Sequence, residues 1–537
     1  MKGASEIKLL VLGLDGATFD VIDKFTEQEL PCLKSVIGQG ARASLESTFP
    51  PVTAPAWVSF ATGKNPGKIG VFGFSNRTST ETYQTKALTS AEFKRAGTFW
   101  DYLSNSGTKV GVWNYPRLYP PYAINGFMVG GFGCSPHDDF TYPRELRGKL
   151  LSVCGNYTME IPLHKPQYIH NPSLFVKDTM ELLRQNGEAL GFLLEQDLDI
   201  FVGVISATDF AQHYMWKFLD ETHPLYDVKE ATRYKPAFLQ IWRRIDKIVE
   251  EMLQKISTDT DVLIVSDHGF GPHRQSFYTN SWLESQGYLV RKNRTAGSYA
   301  TLQSWALNAI DRFARLSPRI SHALERRGRR YARHLIDQIK AEKTVAFAIE
   351  HVTNSGHIYI NTLPGSPVRD GEDREKIRRE IAEKLRNTLE ELNMTVNTYF
   401  PDDIYSGKFL DLAPDILFEI NDFECSAHHK FSKSILTDAP HIPTHSGSHK
   451  RNGIFIACGP NIKQGIGLES ARIYDVAPTI LHMFGLPVPD DMDGRVLKEI
   501  FRERSEPAQR DVKYQPVDLE RKRVKDRIGK LSESGKL

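Results

Sequence analysis

The chain is poor in cysteine, in long apolar runs and in charge of one sign, and each shortage excludes a class of protein. There are five cysteines in 537 residues, Cys32, Cys134, Cys154, Cys425 and Cys458. They are odd in number, isolated and without Cys-x-x-Cys spacing. That argues against a disulfide framework and against thiolate metal ligands, and it predicts a cytoplasmic, reducing setting. No apolar stretch approaches the roughly 18 residues that span a bilayer. The first apolar run, from Leu9 to Leu14, is short, ends on Asp15 and lacks a small-residue cleavage site, so it predicts a strand and not a signal peptide. Lys and Arg total 68 against 66 Asp and Glu, a formal charge of +2, so there is no global electrostatic case for a nucleic-acid partner, and no membrane partner is indicated. Internal repeats are absent. The apolar and charged fractions are those of a globular protein, and the length exceeds one ordinary domain.

The most informative stretch runs from Asp261 to Gly271, Asp-Val-Leu-Ile-Val-Ser-Asp-His-Gly-Phe-Gly. Its β-branched start predicts a buried strand, and it stops on Asp267 and His268. Open α/β sheets carry their chemistry just beyond the carboxyl ends of such strands. There a carboxylate and an imidazole side by side suit a divalent metal. The plain alternative is a turn, with Asp267 capping and Gly269 at positive φ. The arrangement recurs. Residues 8–14 predict a first strand that ends at Asp15. Residues 199–206 predict another, followed by Asp209 and His213, four apart and so on one helical face. Three acid-bearing strand ends, if parallel, meet at one rim. A fourth source of imidazole is the segment His441 to His449, with three histidines spaced by four. Pro443 and Gly447 argue against a helix there and predict a histidine-rich loop before a strand at 453–457.

Between these, Pro50, Pro51 and Pro55 stiffen a loop that carries Thr53 to the start of a helix over about 54–62. Backbone N–H groups at that point favour an alkoxide or a phosphate. The competing account of Thr53 is an ordinary N-cap. Residues 116–170, rich in Pro, Gly, Tyr and His without periodicity, predict a long excursion over the sheet edge, a candidate lid or substrate wall. Residues 291–343 are arginine-rich with apolar positions at helical spacing, and predict a basic helical insertion. Phe277 to Leu289 should continue the core, 355–361 should be an alternating strand, and 502–537 a peripheral helix or loose tail. The catalytic core is then 1–290 and 344–501, split by the insertion. A mixed set of six Asp and His donors with one hydroxyl matches a two-metal phosphoryl-transfer site better than a one-metal site, with Thr53 as nucleophile.

These residues carry a resemblance. The stretches Val11–Gly16, Pro51–Trp57, Ala207–Asp209 with His213, Ser266–Gly271, Gly447–His449, Asp475–Thr479 and Met492–Gly494 together are similar to the type I phosphodiesterase/nucleotide pyrophosphatase branch of the alkaline phosphatase superfamily, nearest its prokaryotic predicted phosphohydrolases and phosphomutases. The resemblance implies an α/β, alkaline-phosphatase-like fold, a largely parallel sheet flanked by helices with inserted lid segments. It implies one metal held by Asp15, Asp267, His268 and Thr53, and another held by Asp209, His213 and His449. Zinc is the expected metal, with manganese or magnesium as alternatives. It further implies in-line attack by Thr53 on a small-molecule phosphate ester, diester or nucleotide-like, then hydrolysis of a phosphothreonine. The alternatives are phosphomutase or phosphotransferase chemistry on a phosphosugar, and a scaffold that keeps the fold without turnover. In such phosphodiesterases an asparagine binds a phosphate oxygen. Phe74 aligns with it here, and Asn76, two residues on, is the substrate-binding candidate. Gly447 is expected to bend the backbone so that His449 turns to the rim, leaving His445 off the metals.

Overall fold

The computed structural model describes residues 7–292, 338–349, 354–369 and 371–517. Eight elements position the site: strand β1 (Leu9–Leu14), helix α1 (Thr53–Thr62), strand β2 (Ile200–Ile205), helix α2 (Ala207–Leu219), and strands β3 (Asp261–Val265), β4 (Gly269–Pro272), β5 (Gly447–Lys450) and β6 (Asn452–Cys458). β1 lies between β3 and β2 and is parallel to both, with Leu9 opposite Asp261 and Ile200. On one side the sheet continues through parallel Val110–Tyr115 and Gly126–Gly130 to antiparallel Thr141–Tyr142. On the other it passes through β6 and Ala41–Glu46, which are antiparallel. The result among the described residues is a mixed sheet of ten strands whose centre is parallel.

Every residue of β1, β2 and β3 is buried. That explains their unbroken apolar run, since both faces of the sheet are covered. Successive side chains point to opposite sides. Leu10, Leu12 and Leu14 join the core under Val228–Leu253 and Pro172–Leu193, whereas Leu9 and Val11 join the core under α1. With the three strands in parallel register, Asp15, Ser206 and the residues after Val265 leave the sheet at the same edge.

Several expectations are corrected. Residues 116–170 are not a structureless excursion, since Gly126–Gly130 and Thr141–Tyr142 extend the main sheet and Glu145–Cys154 is a helix, although part of the stretch does wall the cleft. The strand was hidden because Phe127, Met128 and Val129 are all buried, which removes any alternation. Phe277 does not continue the main core. It lies in Gln275–Tyr278, part of a second sheet, of seven strands among the described residues, with its own core. Gly356–Ile360 belongs to that sheet too, and all five residues are buried, so it does not alternate. In the segment read as a peripheral helix or loose tail, Glu506–Gln509 is a short helix and Tyr514–Gln515 pairs with Val488–Pro489. The predicted basic insertion falls largely outside the described residues, at 293–337, as does the tail beyond 517.

The histidine-rich loop is corrected as well. Its last part is β5, paired antiparallel with β4, with His449 opposite Phe270. Gly447 therefore does not bend the backbone. It is glycine because α2 crosses so closely that a Cβ there would stand 2.4 Å from the Gln212 carbonyl oxygen. Gly269 likewise begins a strand without positive φ, and a Cβ on it would stand 2.1 Å from the Asn452 carbonyl oxygen.

Candidate active site

Thr53 is the first residue of α1. The cap position belongs to Val52, which is extended (φ −132°, ψ 138°), and no side chain bonds the first turn. The capping role for Thr53 is therefore not what the structure contains. Its Oγ1 stands 3.4 Å from His268 Nε2, in a residue only 5% exposed. One helical turn on, Trp57 shares the same face, and its indole N–H donates to Asp15 Oδ2 at 3.2 Å. The ring fits because Gly13 has no side chain: a Cβ there would lie 2.4 Å from Trp57. The Tyr115 hydroxyl donates to the Trp57 carbonyl at 2.7 Å and steadies the helix from the next strand.

The acids follow the strands. Asp15 leaves β1 through Gly16, at φ +67°, whose N–H donates to Asp267 Oδ1 at 3.1 Å. Asp209 sits in the first turn of α2. One oxygen of each acid, Asp15 Oδ1, Asp209 Oδ1 and Asp267 Oδ2, is buried and accepts no hydrogen bond. Buried polar atoms are rarely left so. Burial first, and then the neighbouring acid for Asp15 and Asp267, holds these carboxyls well above the usual carboxylate range. A cation among them would relieve both conditions.

The three imidazoles share one device. Nδ1 of His213 donates to the Gly447 carbonyl at 2.8 Å, Nδ1 of His449 to the Pro51 carbonyl at 3.1 Å, and Nδ1 of His268 to the Gly269 carbonyl at 3.2 Å. These bonds fix the tautomer, so Nε2 is the lone-pair nitrogen in each. Burial keeps them neutral, driving His213 and His268 well below the usual range and His449 to about 3. The Nε2 atoms face the acids: His213 and His449 stand 3.5 and 3.2 Å from Asp209 Oδ1, and His268 stands 3.2 Å from Asp267 Oδ2 and 3.6 Å from Asp15 Oδ1. His213 and His449 Nε2 are 2.9 Å apart, two lone pairs facing one another. Such a pair is tolerable where a cation stands between or beside them.

Two sets of donors have their atoms within 4.8 Å of one another: Asp209, His213 and His449, and Asp15, Asp209 and His268. Asp209 belongs to both, whereas the family resemblance assigns it to one. Oxygen and imidazole donors of this kind suit zinc, manganese or magnesium. The structure thus gathers Asp15, Thr53, Asp209, His213, Asp267, His268 and His449. It does not bring in Asn76, whose side-chain oxygen accepts from the N–H groups of Phe72 and Gly73 and whose amide donates to the Gly73 carbonyl. Its place on the cleft wall is taken by Phe74.

The cleft in front of Thr53 has a volume of about 340 Å³. Its far wall joins Phe132 and Phe210 to residues 160–164. His445 stands on the wall too, its ring 4.8 Å from that of His213, but in neither donor set. Trp57 was legible as the residue four after Thr53. Thr208, whose hydroxyl donates to the Asp15 carbonyl at 2.6 Å, and Gln212, whose amide donates to the Gly16 carbonyl at 2.8 Å, share a face by the same spacing. The wall at 160–164 lies in the stretch 116–170 whose composition predicts a lid or substrate wall.

A sequence model described as type I phosphodiesterase / nucleotide pyrophosphatase matches residues 9–434. No curated protein sequence matches significantly. Among solved structures, the chain is similar to murine ectonucleotide pyrophosphatase / phosphodiesterase 5. Two structures of that protein, one an inactive threonine-to-alanine form in complex with AMP, superpose with TM-scores of 0.52 and 0.51. Identity is 12%, and the match covers 92% of this chain and 100% of theirs.

Proposed function

The chain belongs to the type I phosphodiesterase / nucleotide pyrophosphatase family and is a phosphodiesterase; we propose that it works with two divalent metals, zinc first among them, and with Thr53 as nucleophile. The observation that carries this is the convergence beside Thr53 of three carboxylate oxygens that accept no hydrogen bond and three imidazoles whose Nδ1 atoms are tied to the backbone. Asp209, His213 and His449 would hold one metal, and Asp15, Asp267, His268 and the Thr53 oxygen the other, with Asp209 near both. Bound there, such ions supply charge stabilisation for the phosphoryl oxygens and lower the pKa of a nearby hydroxyl.

The chain's own residues do the rest. Thr53 is the first residue of α1, and the positive end of the helix dipole there favours its ionised form. Thr53 attacks phosphorus in line. Its O–P bond forms as the bond to the leaving alcohol or nucleotide oxygen breaks, and the phosphothreonine is then hydrolysed by water, which returns Thr53. Trp57 keeps one Asp15 oxygen engaged and leaves the other facing the site. The substrate is a small phosphodiester, and a nucleotide-like group is supported by the AMP bound in the murine neighbour. That neighbour's inactive form, a threonine-to-alanine substitution, supports the role given to Thr53. A cytoplasmic setting belongs to the same proposal, supported by five cysteines that are all unpaired thiols.

The test is a screen of metal-reconstituted protein on a bis-aryl phosphate, an aryl monophosphate and nucleotide diesters. Thr53→Ala should lower kcat by about a thousandfold or more at unchanged metal content. Thr53→Ser should keep part of the activity. An acid quench during turnover should leave a phosphate mass on the Thr53 peptide. Near-wild-type kcat in Thr53→Ala would remove the assignment.

A further inference from the structure

Ser206 follows Ile205, the last residue of β2, which stands opposite Leu14 in the parallel register. It is therefore the neighbour of Asp15 at the sheet edge. It is 4% exposed, lines the cleft with Thr53 and Asp209, and its hydroxyl makes no hydrogen bond. It is also the cap residue of α2, a helix of 13 residues, yet it does not cap: φ is −87°, ψ −4°, and the side chain bonds no N–H of the first turn. The first intrahelical bond runs from Phe210 N–H to the Ser206 carbonyl. The N–H groups of Ala207, Thr208 and Asp209 precede it and have no acceptor within the helix.

A buried serine hydroxyl without a partner costs stability, and a serine at this position ordinarily offsets that by bonding the first turn. Here donor and helix end stand together, unspent, in the cleft that holds the nucleophile. Both are donors and both favour negative charge. Asn76, the sequence candidate for holding a phosphate oxygen, is spent on its own turn. We propose that the Ser206 hydroxyl, with the first-turn N–H groups of α2, binds a non-bridging oxygen of the substrate's phosphoryl group. This rests on the phosphoryl-transfer chemistry assigned above.

The test compares metal-loaded wild type with Ser206→Ala by calorimetric titration with inorganic phosphate, alongside metal content, thermal midpoint and hydrolysis of a bis-aryl phosphate. The expected result is phosphate affinity lower by about ten- to a hundredfold, with a parallel fall in kcat/KM. Metal content should be unchanged, and the thermal midpoint no lower, because an unpartnered buried hydroxyl has been removed. Equal phosphate affinity in the two proteins, or none in the wild type, overturns the proposal. So does a lower midpoint with unchanged phosphate binding, the mark of a structural hydroxyl. Wild type that binds phosphate through Ser206 but hydrolyses no diester would keep this assignment and remove the reaction.

Discussion

An imidazole binds a metal through the nitrogen that carries no proton, and in this cleft three backbone carbonyls decide which nitrogen that is. Residue identity alone would not separate His449 from His445, four positions away. His449 has Nδ1 on the Pro51 carbonyl and Nε2 aimed at Asp209, whereas the nearest partner of His445 Nδ1 is the Thr444 hydroxyl at 3.4 Å. His449→Ala should therefore lose about one metal per chain by elemental analysis, and His445→Ala should keep its metal while altering the cleft wall. The reverse pattern would exchange their roles. The acids were legible because each stands where a buried strand stops, a position with few structural uses. Asn76 misled because an asparagine that bonds its own turn is indistinguishable in sequence from one that waits for a ligand. Residues 116–170 were legible as a lid or substrate wall from their composition, and Phe132 with residues 160–164 does line the cleft, but which side chains of that stretch border it could not be read, because nothing local tells a side chain that it borders a cavity.

At the scale of elements, the two-stranded ribbon of β4 and β5 carries His449 to the other donors. β5 reads Gly-Ser-His-Lys, a sequence with no strand propensity, and it is a strand only because β4 and α2 give it partners. That is why it passes for a loop in sequence, while β1, β2 and β3, whose burial is written in their composition, do not. The close crossing of α2 at Gly447 makes a sharp prediction. Gly447→Ala would place its methyl 2.4 Å from the Gln212 carbonyl oxygen and 3.0 Å from the Phe270 ring. β5 must then move off α2, taking with it the carbonyl that orients His213. Metal affinity should fall by about 10–100-fold, and stability by about 1–3 kcal/mol. A variant with wild-type metal content and thermal midpoint would show that the ribbon has slack.

Across the whole molecule the arginine-rich stretch at 293–337 interrupts the chain without separating its ends. Arg291 pairs antiparallel with Ile339, and Lys292 N–H donates to the Gln338 carbonyl at 2.8 Å. Two adjacent antiparallel strands can be joined by a two-residue turn. Replacing 293–337 with such a turn should preserve metal binding and hydrolysis of a small aryl ester within a few-fold. A variant that folds and binds metal but loses turnover would show that the stretch shapes catalysis.

The donors come from residue 15 at one extreme and residue 449 at the other, and this spread bears on when the enzyme can exist. On a growing chain Asp15 and Thr53 are made first, and at roughly 5–20 residues per second tens of seconds pass before His449 follows. Until β5 pairs with β4, the set of Asp209, His213 and His449 is incomplete and the acids stand without their full complement of imidazoles. The donor set that includes His449 can therefore assemble only after β5 has been made and has paired with β4, whatever the earlier strands have already formed.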